Sequence, residues 1–181
     1  IDTLYYSLEA ARRTGFRQSL GAGDDVVAVT LHRPSNVDDP SRMMAIAEAL
    51  REIAKERSVV FPVHPRTAQR LRESRIPLDG VRVLEPIRYF DMLDLVDGAF
   101  AVITDSGGLQ EETTALGIPC FTVRPNTERP ITITEGTNQL VPDPGRLVSL
   151  VRSATRTNPP RRPEGWDGHA AERIIEALLS R

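Results

Sequence analysis

Lysine is almost missing from this chain: Lys55 is the single one among 23 basic residues, which leaves 22 arginines. Cysteine is as scarce. Cys120 stands alone, which excludes an internal disulfide framework and any cysteine-based zinc cluster, and fits a reducing, cytoplasmic setting. Charge of one sign is missing too: 23 basic residues face 25 acidic ones for a formal charge of −2, without the basic footprint of a nucleic-acid binder or a polybasic membrane patch. No apolar run approaches the ~20 residues that span a bilayer, so neither nucleic acid nor membrane is an expected partner. The first residue is Ile1, with no initiator Met and no signal-peptide pattern, and the expectation is a fragment or a processed product. There is no GxGxxG and no Walker lysine, which weakens a dinucleotide-binding or P-loop NTPase assignment. The three histidines, His32, His64 and His169, show no close ligand spacing, so no metal is expected.

What the chain does contain is the make-up of one globular domain, with 40% apolar and 27% charged residues over 181 positions. Short β-branched runs alternate with amphipathic stretches. Strands are expected at Val26 to Leu31, Val59 to Val63, Val81 to Leu84, Ala101 to Thr104, Cys120 to Val123 and Gln139 to Val141. Between and around them, helices are expected over Thr3 to Phe16, from Pro40 to about Glu56, and over Arg66 to Glu73, Phe90 to Val96, Gly107 to Leu116, Gly145 to Ala154 and His169 to Leu179. The stretch from Thr155 to Gly168, with Pro159, Pro160, Pro163, Arg161 and Arg162, is expected to be a surface connection. Strict alternation with strands apolar on both faces implies an α/β fold: a doubly wound, Rossmann-like parallel sheet with helices on both sides.

In such folds the ligand sits beyond the carboxyl ends of the strands, so the residues just after each strand are the functional candidates. They are His32-Arg33-Pro34-Ser35-Asn36, His64-Pro65-Arg66, Asp105-Ser106-Gly107-Gly108 and Arg124 to Arg129. The sharpest is Thr104 to Glu112, where a strand enters a helix through Gly107 and Gly108. Two glycines let an anion approach the backbone, and the helix start offers free N–H groups and a favourable dipole. Glu111 and Glu112 lie about a turn further in, where an inward carboxylate can accept both hydroxyls of a ribose. The alternative is local: Ser106 as a helix cap, Glu111 and Glu112 as charges suited to the dipole, and Arg129 as half of an ion pair. His32 and His64 are phosphate or acid–base candidates, each with a structural hydrogen bond as its alternative. His169 is expected to be a solvated residue at a helix start.

The segments Val29 to Asp38, Phe61 to Thr67 and Thr104 to Glu112 resemble, in order and spacing, the non-hydrolysing UDP-N-acetylglucosamine 2-epimerases. Gly117-Ile118-Pro119, Thr127-Glu128-Arg129-Pro130, Glu135 to Asn138 and Gly168 to Ile174 extend the likeness over almost the whole chain. The resemblance implies a two-domain GT-B architecture of which residues 1–181 form the C-terminal, UDP-binding half, with the N-terminal domain absent. It implies that Ser106, Gly107 and Gly108 hold the diphosphate, Glu112 the ribose, and the Met92 neighbourhood the uracil. Arg129, His32, Arg33 and His64 would serve the phosphate and sugar end, His32 as the catalytic candidate. The implied reaction inverts C2 of the sugar by eliminating and re-adding UDP, with the proton-transfer acids in the missing half and no cofactor. The implied partners are UDP or a UDP-sugar and the other domain, and a homodimer stays open. Many members carry His-Arg-Arg-Glu-Asn where this chain has His32 to Asn36, near a second, regulatory nucleotide-sugar site. A modified sugar, the donor half of a glycosyltransferase and a non-catalytic UDP-sugar sensor are the competing expectations.

Overall fold

The computed structural model describes residues 1–156, 160 and 162–180. Six strands, β1 (Val27–Thr30), β2 (Val59–Pro62), β3 (Val81–Leu84), β4 (Ala101–Thr104), β5 (Cys120–Thr122) and β6 (Asn138–Leu140), form one sheet. The order is β3-β2-β1-β4-β5-β6 and every pairing is parallel. Parallel neighbours need a crossover, and helices supply it. The helices are α1 (Asp2–Arg12), α2 (Phe16–Ser19), α3 (Pro34–Val37), α4 (Pro40–Ala54), α5 (Pro65–Glu73), α6 (Tyr89–Asp97), α7 (Gly107–Leu116), α8 (Ile131–Thr134), α9 (Leu147–Arg152) and α10 (Ala170–Leu179).

The period of two along the strands sorts the core into two layers. Val27, Val29, Val59 and Phe61 face α4, α5 and α9, where Ile46, Leu50, Leu71, Leu147 and Val151 are buried. Ala28, Val60 and Val102 face the opposite way, onto Leu4, Leu93, Val96, Leu109 and Leu116 of α1, α6 and α7. The expected doubly wound α/β sheet is therefore the fold observed.

Local chemistry sets the helix ends that matter here. Asp39 accepts hydrogen bonds from the backbone N–H groups of Ser41 and Arg42 and starts α4 at Pro40. Gly117 takes φ of 71° to stop α7, a left-handed conformation that glycine adopts without strain. The first helix is shorter than the pattern suggests: it ends at Arg12, and Gly15, at φ of 59°, separates it from α2. The last helix differs in another way. Its apolar residues Ile174, Ile175 and Leu178 remain 56–66% exposed, because no described element of the chain packs on that face. Pro159 and Arg161 of the expected surface connection lie outside the described residues.

Candidate functional site

The strand order reverses between β1 and β4, and the crevice beyond that switch point is where the candidates meet. Thr30 and Thr104 are register partners there, their hydroxyls 2.8 Å apart. One residue further on, the Asp105 side chain turns into the crevice and is completely buried. Its carboxylate gathers the loop after β1. The backbone N–H of His32 donates to Oδ1 and Oδ2 at 3.2 and 3.1 Å, that of Arg33 donates to Oδ2 at 2.9 Å, and Asn36 Nδ2 donates to Oδ2 at 3.0 Å. Asn36 is itself buried, also donates to the Val123 carbonyl, and accepts from Arg42 Nε at 2.7 Å. The His32 ring lies with Nδ1 3.1 Å from Asp105 Oδ1 while about half of its side chain faces solvent. Arg33 Nε returns to the Asp105 carbonyl at 3.0 Å.

Beside this knot, α7 begins. Ser106 occupies the cap position in extended conformation, but its side chain makes no capping hydrogen bond. The local alternative for Ser106 therefore loses its main support: the first-turn N–H groups of α7 are not satisfied by that hydroxyl. Arg129 reaches across this helix start. A methyl group built on Gly107 would lie 2.8 Å from Arg129 Nη1, so glycine is what lets the guanidinium pack against the backbone there. Arg129 Nε lies 3.1 Å from Glu111 Oε2 yet off the line of a hydrogen bond, leaving a buried nitrogen without an aligned acceptor. The ion-pair alternative for Arg129 is thus present in part, through Glu111 and, at 3.9 Å, Glu128.

A buried amide network seats Arg129. Gln110 Oε1 accepts from the Thr127 hydroxyl at 2.5 Å and from Asn138 Nδ2 at 3.1 Å. Asn138 Oδ1 accepts from Thr122, and the Thr127 oxygen accepts from the Arg129 backbone N–H at 3.0 Å. Buried polar groups that satisfy one another this fully fix a geometry. Outside it, Glu128 sits among three arginines. Arg124, itself buried, donates to it at 2.6 and 2.9 Å, while Arg33 and Arg129 approach to 3.8 and 3.9 Å. The hydrogen bonds from Arg124, aided by the charge of Arg33, hold the Glu128 carboxyl down at about 2.

Glu112 stands further along α7 and faces Tyr89 at the start of α6, with Tyr89 Oη 3.2 Å from Glu112 Oε1. Burial pushes the Glu112 carboxyl above its ordinary range, a shift the Tyr89 hydrogen bond partly opposes. Burial first, then the neighbouring carboxylate, pushes Tyr89 up to about 12. Met92, one turn beyond Tyr89, is half-buried against the α1/α6/α7 core layer.

The structure thus brings His32, Arg33, Ser106, Gly107, Gly108 and Arg129 together beyond β1 and β4, while Glu112 lies further along α7 against Tyr89. His64 is less integrated: it caps α5, its Nδ1 accepting weakly from the Arg66 N–H at 3.4 Å, while Arg66 pairs with Asp38. His169 starts α10 and pairs with Glu172, as expected of a solvated helix-start residue. Four residues central to the geometry were not singled out from the sequence: Asp105, Asn36, Arg124 and Tyr89. The first three lie in the post-strand segments already flagged, and Tyr89 lies beside Met92. Among the described residues no group of three or more His, Cys, Asp or Glu is arranged to hold a metal, and no helix is long and apolar enough to cross a membrane. Cavities of about 470 and 490 Å³ lie elsewhere, one lined by Arg51, Lys55 and Asp79, the other by Val63, Ala68 and Val83.

A parallel sheet of order β3-β2-β1-β4-β5-β6, with a glycine-rich helix start at its switch point and an arginine over that start, defines a Rossmann-like α/β domain. Comparison with known proteins makes this specific. Residues 1–179 match the family model described as UDP-N-acetylglucosamine 2-epimerase, and the chain belongs to that family. A UDP-N-acetylglucosamine 2-epimerase of Methanocaldococcus jannaschii is 34% identical, aligned over 98% of this chain and 52% of its own length. A UDP-2,3-diacetamido-2,3-dideoxy-D-glucuronate 2-epimerase of Pseudomonas aeruginosa is 36% identical, over 98% of this chain and 49% of its own. The M. jannaschii enzyme solved with UDP-GlcNAc and UDP superposes with a TM-score of 0.81 at 33% identity, over 99% of this chain and 52% of that one. The chain spans about half the length of the curated relatives it matches.

Proposed function

We propose that residues 1–181 are the UDP-binding half of a non-hydrolysing UDP-N-acetylglucosamine 2-epimerase, with the remaining half of the enzyme supplying the second wall of the cleft. The observation that carries this is the start of α7, where uncapped N–H groups meet the Arg129 guanidinium over Gly107. Ser106, Gly107 and Gly108 take the diphosphate, Glu112 the ribose hydroxyls, and the surface by Tyr89 and Met92 the base. Arg129, Arg33 and His32 surround the phosphates, with His64 at the outer end of the same edge.

The chemistry follows from that placement. Breaking the bond between the sugar and UDP develops negative charge on the diphosphate, and prearranged N–H groups and a guanidinium stabilise that charge without reorganising. The same contacts hold UDP until its oxygen re-forms the bond at C1 as a proton returns to the opposite face of C2. The groups that move the C2 proton belong to the other half. Purified chain is therefore expected to bind UDP and convert no UDP-GlcNAc. Turnover by the chain alone would contradict the division of labour.

A second substrate is favoured by one observation, the 36% identity to the diacetamido-glucuronate 2-epimerase. Turnover of each UDP-sugar by the two-domain enzyme separates the two.

A further inference from the structure

Arg124 lies just past β5 and is only 4% exposed, so water cannot serve as the partner of its guanidinium. Glu128 serves instead. Arg124 Nη2 donates to Oε1 at 2.6 Å and Nη1 to Oε2 at 2.9 Å, a fork that takes one site on each oxygen and fixes the plane of the carboxylate. Asn126 Oδ1, 3.5 Å from Arg124 Nη2, adds a weaker contact.

The Glu128 side chain, by contrast, is more than half exposed. Arg33 Nη2 stands 3.8 Å from its Oε1, and Arg129 Nη1 stands 3.9 Å from its Oε2. Both distances are about 1 Å too long for hydrogen bonds. The two guanidiniums feel the charge of the carboxylate, yet they spend no hydrogen bond on it. Their Nε groups are turned elsewhere, that of Arg33 to the Asp105 carbonyl and that of Arg129 towards Glu111. The Nη groups beside Glu128 are thus the ones left for a ligand. A carboxylate and a phosphate offer a guanidinium the same kind of acceptor, so a Glu128 free to turn by that one ångström would occupy them.

We propose that Arg124 is a positioning residue that sequesters Glu128 and so keeps the Nη donors of Arg33 and Arg129 open to a diphosphate. The role rests on the assignment of those two arginines to the phosphates, whereas the sequestration is a property of the unliganded chain. The positive charge of Arg124 also offsets the carboxylate that an incoming phosphate would otherwise face.

A second substitution should reverse the effect of the first. Arg124→Met follows the path of the arginine stem but cannot hold the carboxylate, so Glu128 closes on Arg33 and Arg129. The UDP affinity of the chain is expected to fall about tenfold, the scale of a hydrogen bond to a charged group. Adding Glu128→Gln removes the competing charge and is expected to return affinity to within about twofold of wild type. If Arg124 only held its loop in shape, the double variant would bind as weakly as Arg124→Met or more weakly. Side-chain nitrogen spectra of the arginine-labelled free chain read the capture without ligand, with Arg33 and Arg129 assigned by their loss in Arg33→Lys and Arg129→Lys. Both sets of Nη signals should shift in Arg124→Met and return in the double variant. Arg124→Lys, which can hold one oxygen only, carries the same comparison in milder form if Arg124→Met does not fold. Unshifted Nη signals in the Arg124 variant, or a loss of affinity that Glu128→Gln fails to reverse, overturns the sequestration. Signals that shift and return in a chain that binds no UDP uphold it and overturn the proposed function.

Discussion

The Tyr89 hydroxyl lies 3.2 Å from Glu112 Oε1 and ties the start of α6 to α7 at the point assigned to the ribose. A carboxylate has acceptor sites for this phenol and for two ribose hydroxyls together. Tyr89 therefore favours the charged form of Glu112, against the burial that raises its carboxyl, and aims it before UDP arrives. Tyr89→Phe is expected to weaken UDP by about 1 kcal/mol, roughly fivefold, since the tyrosine is partly exposed. Calorimetric titration of both forms checks it, and unchanged affinity would detach Tyr89 from the site.

Glu112 carries a prediction with two opposite signs. Its carboxyl is raised by burial in the folded chain, so the ionised form is a cost to folding that appears as pH rises above the unfolded value and is complete above the folded one. Glu112→Gln should accordingly raise the melting temperature at neutral pH. The same change should cost about 1.5–3 kcal/mol of UDP binding, the range for hydrogen bonds to a charged group. Because the ionised carboxylate is the acceptor, wild-type UDP affinity should be full above the raised value and fall as pH drops through it. A 2′,3′-dideoxy analogue should show neither the mutational loss nor this contribution to the acid limb. Equal losses with both ligands would reduce Glu112 to a helix-start charge.

Gly107→Ala is expected to separate binding from stability. The new methyl meets only the far end of the Arg129 side chain, 2.8 Å from Nη1, which can swing away. Thermal stability should hold while UDP affinity drops, and Arg129→Ala in the Gly107→Ala background should cost less than it does in wild type. Additive losses would show that the two residues do not act together.

Asn138→Ala should do the reverse and strike the fold first. It removes the partner of the buried Gln110 Oε1, Thr122 and Thr132 hydrogen bonds. Leaving such groups unpaired costs about 1–3 kcal/mol in total stability, readable as a lower urea midpoint. A midpoint equal to wild type would mean the network is not what seats Arg129.

The sheet was legible because its strands are short β-branched runs between turn residues, such as Val27 to Thr30 and Ala101 to Thr104, and long helices such as α4 carry a full 3.6-residue period. Helices of a single turn, α3 and α8, hold too few residues for a period to show. The break at Gly15 was hidden because apolar residues continue across it. At the site, the glycine pair and the arginine were visible as residue types in a known kind of place. Asp105 was not, although it stood within the same motif. Its importance lies in burial and in donors 69 to 73 positions earlier in the chain, which no local pattern displays. Tyr89 likewise gains its meaning only from Glu112, 23 residues on.

The proposed UDP site lies at the β1–β4 switch point, against the start of α7. Titrating UDP into 15N-labelled chain and following the amide signals tests this most directly. Saturable shifts are expected, centred on Ser106, Gly107, Gly108 and Leu109 and extending to His32, Glu112 and Arg129, while the signals of Arg51 and Asp79 at the remote 470 Å³ cavity stay in place. No saturable response at millimolar UDP, or shifts centred on that cavity or on the groove beside β3, would contradict it.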